Sequence, residues 1–289
     1  MGIIRKRRVA PEETPLEEPL LQDEDRQPSK RRRTVGLLDF TFSCITAIVK
    51  SVFSRAAKWS RWSLLPLSWR GVPELTLLQQ ERLNRLCSRV GVEYSDDAHG
   101  ASLERLWKLT FPDDAYVEGK NPKWRDMGWQ GDHPSSDFRG GGLLSLENLI
   151  YFAERKPLAY QRLCFKTQGK RSDWEYPFGA AGVNVTFTVA KVLGVSRDPE
   201  ASLTQLASST QGRAFLALLE VEDASHDAVF EEIYCMCFER LDAIWLAEGA
   251  SYMQFPSIIA KMESVLKASM VANPKTLDDL QNAIQTKPA

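Results

Sequence analysis

Between Trp124 and Gly142 the chain sets two large aromatic residues, two arginines and a run of glycines in a stretch where a plain connection would be shorter and blander. It reads Trp124-Arg125-Asp126-Met127-Gly128-Trp129-Gln130-Gly131-Asp132-His133-Pro134-Ser135-Ser136-Asp137-Phe138-Arg139-Gly140-Gly141-Gly142. Arg139 has the clearest chemical capacity. Its planar guanidinium can hold a carboxylate, or span two phosphoryl oxygens with parallel N–H bonds. On spacing alone two readings stay open. Arg139 could cap a carboxylate within the fold, Asp137 being the nearest, with the glycines only opening the next helix. It could instead point outward at a phosphate, the glycines letting its backbone approach another surface closely.

Elsewhere the chemical signals are thin. His99, His133 and His226 are scattered without ligand spacing. Cys235 and Cys237 are separated by one residue, so on a helix they point apart. No metal site is expected, because structural sites want closely spaced Cys and His pairs. There is no G-x-S-x-G elbow and no Gly-Lys-Ser/Thr phosphate loop. Asp96-Asp97 and Asp113-Asp114 read as solvated turn carboxylates. No cofactor and no self-contained active site are expected.

The elements that must hold the loop are helical. Leu77, Leu78, Leu83, Leu86 and Val90 predict a helix stopped at Gly91, and Leu103, Leu106, Trp107 and Leu109 a second, broken at Phe111-Pro112. After the polar 117–142 passage, Leu143, Leu146, Leu149, Ile150 and Phe152 mark a third, ended before Pro157. Val183, Val185, Phe187 and Val189 alternate like a strand, yet Ala180, Val183, Phe187 and Ala190 fit a helix. No partner strand is in view, so helix is chosen. The strongest stripe is Phe230, Ile233, Tyr234, Cys237, Phe238, Leu241 and Trp245, with Glu231, Glu232, Glu239 and Asp242 read as facing away. Ile258, Ile259, Met262, Val265 and Leu266 give a last one. The expected body is an all-α single domain over residues 71–273, followed by a C-terminal tail at 274–289.

Size and composition agree with that. The chain has 289 residues, 43% of them hydrophobic, enough for its own core, and five irregularly spaced cysteines argue against a disulfide scaffold. The net charge of −1 hides an asymmetry: residues 1–70 carry 14 Lys and Arg against 8 Asp and Glu, and the remainder 23 against 30. Residues 1–34, basic blocks around an acidic proline-spaced stretch, read as a disordered tail. Residues 35–70 read as an amphipathic basic and aromatic segment. Leu38, Phe42, Ile45, Val49 and Val52 form one helical stripe, beside Lys50, Arg55, Lys58, Arg61 and the tryptophans Trp59 and Trp62. Asp39 and Lys50 interrupt it too closely for a membrane span of about 20 apolar residues. These seven apolar and aromatic residues are candidates for contact with an anionic membrane, and Cys44 for acylation. The alternative is that the helix packs on the body. Nucleic acid is not expected of an acidic body without a groove-reading motif.

The Trp124–Gly142 stretch resembles the signature of the ELMO (engulfment and cell motility) domain family. That pattern runs tryptophan, three residues, Gly-Phe-Gln-Gly, two residues, proline, one residue, Thr-Asp-Phe-Arg-Gly, one residue, glycine, then a Leu-rich helix ending Asn-Leu-x-Tyr-Phe. The matching positions are Trp124, Gly128, Gln130, Gly131, Pro134, Asp137, Phe138, Arg139, Gly140 and Gly142, then Asn148, Leu149, Tyr151 and Phe152. Trp129 replaces phenylalanine and Ser136 threonine. Two more blocks are similar: Tyr176-Pro177-Phe178 leading to Gly182-Val183-Asn184-Val185-Thr186, and Ala250-Ser251-Tyr252-Met253 leading to Phe255. The likeness covers roughly Leu75 to Met270 and is to the short single-domain members. It implies a GTPase-activating protein for a small Arf-like GTPase, with Arg139 as the arginine supplied in trans and Trp129 and the other matching loop residues supporting it. In that role Trp129 or Phe138 could anchor the loop in the partner's cleft. Gln130 could orient a water, but a loop hydrogen bond is the preferred reading for it. The expected setting is signalling in the cytoplasm, at a membrane surface by way of residues 35–70, while the basic blocks Arg5-Lys6-Arg7-Arg8 and Lys30-Arg31-Arg32-Arg33 offer a nuclear address as the alternative. Long members of the family bind DOCK-type exchange factors and generally lack the arginine. The rival expectation is therefore a non-catalytic adaptor or scaffold that holds a small GTPase or such an exchange factor.

Overall fold

The structure is a computed structural model, and it describes residues 73–165, 176–221 and 228–288. The tail at 1–34 and the segment at 35–70, with Leu38, Phe42, Cys44, Ile45, Val49, Val52, Trp59 and Trp62, lie outside the described residues, as does His226.

The described residues form an all-α domain. In chain order the elements are α1 (Leu77–Cys87), α2 (Asp96–Thr110), two 3₁₀ turns (Pro122–Met127 and Pro134–Gly140), α3 (Gly142–Arg155), α4 (Pro157–Cys164), α5 (Phe178–Leu193), α6 (Pro199–Ser208), α7 (Thr210–Leu218), α8 (Val229–Glu248), a third 3₁₀ turn (Tyr252–Gln254), α9 (Phe255–Val271) and α10 (Leu277–Thr286). The ambiguous stretch is the central helix α5, packed by α3, α8 and α9. Its Val183, Val185, Thr186, Thr188, Val189 and Val192 are all buried, so β-branched residues follow one another because the helix is apolar nearly all round. Close packing depends on Gly182, where a Cβ would stand 2.8 Å from both Leu149 Cδ2 and Tyr234 Oη. A buried hydrogen bond at 2.9 Å from Asn148 Nδ2 to Thr186 Oγ1 registers α3 on α5.

Helix α8 corrects one expectation. Its acids do not all face solvent: Glu231 and Asp242 are each 5% exposed. Glu231 pairs with Arg89 at 2.6 Å, and Asp242 accepts a hydrogen bond from Tyr176 Oη at 2.9 Å. Glu232 accepts from Tyr151 Oη at 2.5 Å, and Lys156 reaches both Glu232 and Glu239. The helix is buried on more than one face, so acids chosen as its solvated side serve as tethers to the α1–α2 connection, to α3 and Lys156 just after it, and to Tyr176 ahead of α5.

The supposed tail is also corrected. Thr276 and Asp279 form a capping box that starts α10, and Leu277, Leu280 and Ile284 enter the core against α8 and α9. Arg240 Nη2 donates to the Lys287 carbonyl at 2.6 Å and holds the far end. The Thr-Leu-Asp-Asp start and the three- and four-residue apolar spacing were visible signals. Leu280→Ala should therefore destabilise the domain by about 2–4 kcal/mol, the usual cost of emptying a buried leucine site. Urea denaturation checks this, and an unchanged midpoint would restore the tail reading.

Candidate functional site

The arginine loop is built from its two 3₁₀ turns and the helices on either side. Asn121 caps the first turn by accepting from the Lys123 N–H at 3.0 Å, and Pro122 supplies the fixed φ of a helical start. Trp124 is fully buried with its ring edge-on to Trp107, 4.8 Å between centroids. Gly128 ends the turn in the left-handed region at φ 81°, and a Cβ there would lie 2.5 Å from both Pro177 Cα and Phe178 N. The backbone of the loop rests directly on the entry to α5. The next residue, Trp129, is 3% exposed and lies over Gly179, where a Cβ would meet the ring at 2.5 Å.

The second turn opens at buried Pro134 and is capped by His133, whose Nδ1 accepts from the Ser135 N–H at 3.4 Å and lies 3.0 Å from Ser135 Oγ. In a 3₁₀ helix three residues make a turn, so side chains two apart diverge by roughly 120° and those three apart align. Asp137 and Phe138 accordingly turn inward, 8% and 0% exposed, while Arg139 turns out to solvent. Phe138 is wedged between Tyr94 and Trp129, with centroids 5.0 and 5.1 Å away. Beyond Gly140, Gly142 has φ 61° and a Cβ there would stand 2.1 Å from the Val92 carbonyl oxygen. That oxygen accepts from Leu143 N–H at 2.8 Å, fixing the start of α3 to the α1–α2 connection.

Two expectations change here. Trp129 and Phe138 do not anchor a partner, because both rings are spent inside the domain as the support of the turn. Asp137 does not hold the Arg139 guanidinium as an ion pair. Its carboxylate accepts instead from the Gln130 backbone N–H, and burial pushes it up to about 6. The loop hydrogen bond read for Gln130 comes from its main chain, while its side chain is exposed. Arg139 spends only Nε, donated to the Ser136 carbonyl at 3.1 Å, and forms no ion pair among the described residues. Neither Nη group has a hydrogen-bond partner among the described residues, and the side chain is exposed.

Beside Arg139 runs a groove of about 620 Å³, lined among others by Val92, Tyr94, Leu144, Phe187 and Lys191. Lys191 is tied to Glu263 at 3.1 Å, so Arg139 is the uncommitted cation of the groove among the described residues. Val92, Tyr94, Pro177, Gly179 and Phe187 were not singled out as site residues. The Tyr176-Pro177-Phe178 block was visible in the sequence, and its place here is as the wall under Gly128. No group of three or more His, Cys, Asp or Glu among the described residues could hold a metal ion.

Fold and site together define a helical domain that offers one arginine on a glycine-framed turn. Residues 83–259 match the ELMO/CED-12 family, and the chain belongs to that family. It is similar to ELMO domain-containing protein C of Dictyostelium discoideum, 33% identical over 190 residues, which is 65% of this chain and 29% of that protein. Protein B of the same organism is 37% identical over 167 residues, 57% of this chain and 51% of its own length. Engulfment and cell motility protein 1 of Homo sapiens is 24% identical over 155 residues, covering 53% of this chain and 20% of that one. The chain thus spans less than a third of protein C and about half of protein B.

Proposed function

We propose that this chain accelerates GTP hydrolysis by a small Arf-like GTPase by supplying Arg139 in trans. The observation that carries the proposal is the state of Arg139: exposed, without a carboxylate partner, and mounted on a turn whose neighbouring rings are buried. As the γ-phosphoryl group transfers to water, negative charge spreads over oxygens that a guanidinium fork can bridge. An arginine so placed contributes about 10³–10⁵-fold to the rate, and it needs neither nucleotide site nor metal on its own chain, since the GTPase brings both. A rigid mount matters because the guanidinium acts only if it arrives preorganised. Glycines at 140–142 keep side chains away from the approach. The adaptor reading draws on the apolar groove, which could hold a GTPase or a DOCK-type exchange factor without accelerating anything. Single-turnover GTP hydrolysis across a panel of small GTPases separates the two. Stimulation of an Arf-like member supports the activator, and tight binding with no stimulation by any member supports the adaptor.

The membrane setting belongs to the same proposal. No described helix is long and apolar enough to cross a bilayer, so contact would rest on residues 35–70. Residues 35–62 should confer binding to anionic liposomes that weakens with salt, as basic and interfacial tryptophan residues dictate. Equal sedimentation of the full chain and a chain beginning at Gly71 would count against it.

A further inference from the structure

We infer that the groove beside Arg139 seats the segment of the GTPase that bound GTP orders, with Phe187 as its aromatic anchor, and that this contact selects the GTP-loaded form. The inference rests on the proposed role of Arg139 and adds the docking surface that such a role requires. Arg139 cannot make the selection itself, because a contact made chiefly in the transition state adds little to ground-state affinity. A second contact must read the nucleotide.

Phe187 is the group left for it. On α5 the residues that reach the surface include Ala180, Asn184, Phe187 and Lys191, spaced four, three and four apart, one stripe on a helix otherwise packed inward. The polar members of the stripe are already spent. Asn184 Nδ2 donates to the Ala180 carbonyl at 2.7 Å, and Lys191 pairs with Glu263 at 3.1 Å. The core gathers Tyr94 and Ala190 among its half-buried neighbours but not Phe187, whose ring meets no other aromatic ring among the described residues. A half-exposed phenylalanine and an arginine without a carboxylate thus line one groove of about 620 Å³. Aromatic residues and arginine are the types enriched at the centres of interfaces, where most of the binding energy lies.

The rest of the lining chooses the occupant. Val92, Leu144 and Val195 make it apolar, and Gly140, Gly141 and Gly142 border it without side chains, so another main chain can come close. Its charges balance: Glu93 is exposed with no ion pair among the described residues, and Glu263 neutralises Lys191. No excess positive charge is present to hold an anionic membrane. The fit is to an apolar segment with a single anionic centre at its Arg139 end. A GTP-loaded small GTPase brings the two together, because contacts to the γ-phosphate order its switch segments and hydrolysis releases them. With the γ-phosphoryl group at Arg139, the segment it orders lies over Phe187. The GDP form has no fixed segment to seat there.

The test compares the full chain with its Phe187→Gln variant against a panel of Arf-like GTPases, each loaded with a non-hydrolysable GTP analogue or with GDP. Calorimetry reads affinity, and single-turnover hydrolysis reads the rate. Phe187→Gln should weaken binding of the GTP-analogue form by about 30-fold or more, the scale of a truncated hot-spot ring, and leave the GDP form within a few-fold. The concentration of chain needed for half-maximal stimulation should rise by the same factor, while the rate at saturation stays within a few-fold. Phe187→Leu, which keeps an apolar side chain, should recover most of the affinity. Phe187→Gln should melt within a few degrees of the parent, since the ring lies outside the core. A variant that melts far lower would put the ring in the core and overturn the inference. Unchanged affinity, an equal loss for the GDP form, or a parent that prefers the GTP form of no member would also overturn it. So would loss of binding to phosphatidylserine liposomes with GTPase affinity intact, which would give the groove to a membrane. A GTPase bound through Phe187 but not stimulated would uphold the inference and remove the activator reading. Stimulation and binding that Phe187→Gln leaves intact would do the reverse.

Discussion

Replacing Arg139 by lysine should lower the stimulated GTP hydrolysis by about 10³-fold or more, the scale of an arginine finger, and leave binding of the GTP-loaded GTPase within a few-fold. Positive charge is retained, so long-range attraction survives. What disappears is the planar fork: lysine is a compact point charge on a flexible stem and cannot bridge two phosphoryl oxygens. A contact made chiefly in the transition state shows in the rate and barely in ground-state affinity. Stability should hardly change. Arg139 is exposed, and the one bond it makes is to the carbonyl of Ser136 on its own turn. Exposed substitutions of that kind stay within about 0.5 kcal/mol. Single-turnover hydrolysis, pull-down affinity and melting temperature on the same variant decide the matter. A lysine variant that melts, binds and stimulates normally would sink the catalytic assignment.

Gly128→Ala should be among the most damaging single changes in the domain, at about 2–5 kcal/mol, because backbone strain and overpacking act together. The residue adopts φ 81°, which a side chain resists, and the added methyl would lie 2.5 Å from Pro177 Cα and Phe178 N. Those are main-chain atoms at the entry to the central helix, so no side chain can rotate away. The loop must lift off α5, taking Trp129 off Gly179 and loosening Phe138 behind Arg139. Thermal unfolding and loss of stimulation should therefore move together, unlike the Arg139 case. A variant with parental melting temperature would show that the loop accommodates the methyl.

The helices were legible wherever a strong period ran long enough. Phe230 to Trp245 and Ile258 to Leu266 announce α8 and α9, and α5 was recovered from an ambiguous pattern because no strand partner was in view. Helices α4, α6 and α7 were missed: each has ten residues or fewer, so few apolar positions repeat. The chemical loop was legible in its residue types and in its likeness to a family, but not in its geometry. Gly, Pro and Asp carry no period, so nothing in the spacing says that Trp129 and Phe138 are buried. Whether Asp137 meets Arg139 is settled by a 3₁₀ turn that sends them to different sides. That turn type was not read from the sequence, although Pro134 marks its start.

Gly128 against Phe178 and Gly142 against Val92 also fix the order in which the arginine can acquire its setting. During synthesis Arg139 emerges well ahead of Phe178, and at about 5–20 residues per second the wall that holds the loop arrives about 2–8 s later. Until α5 docks, the arginine has a motif around it but no frame. A nascent or truncated chain ending before Phe178 would thus contain every residue from Trp124 to Gly142 and present none of the geometry.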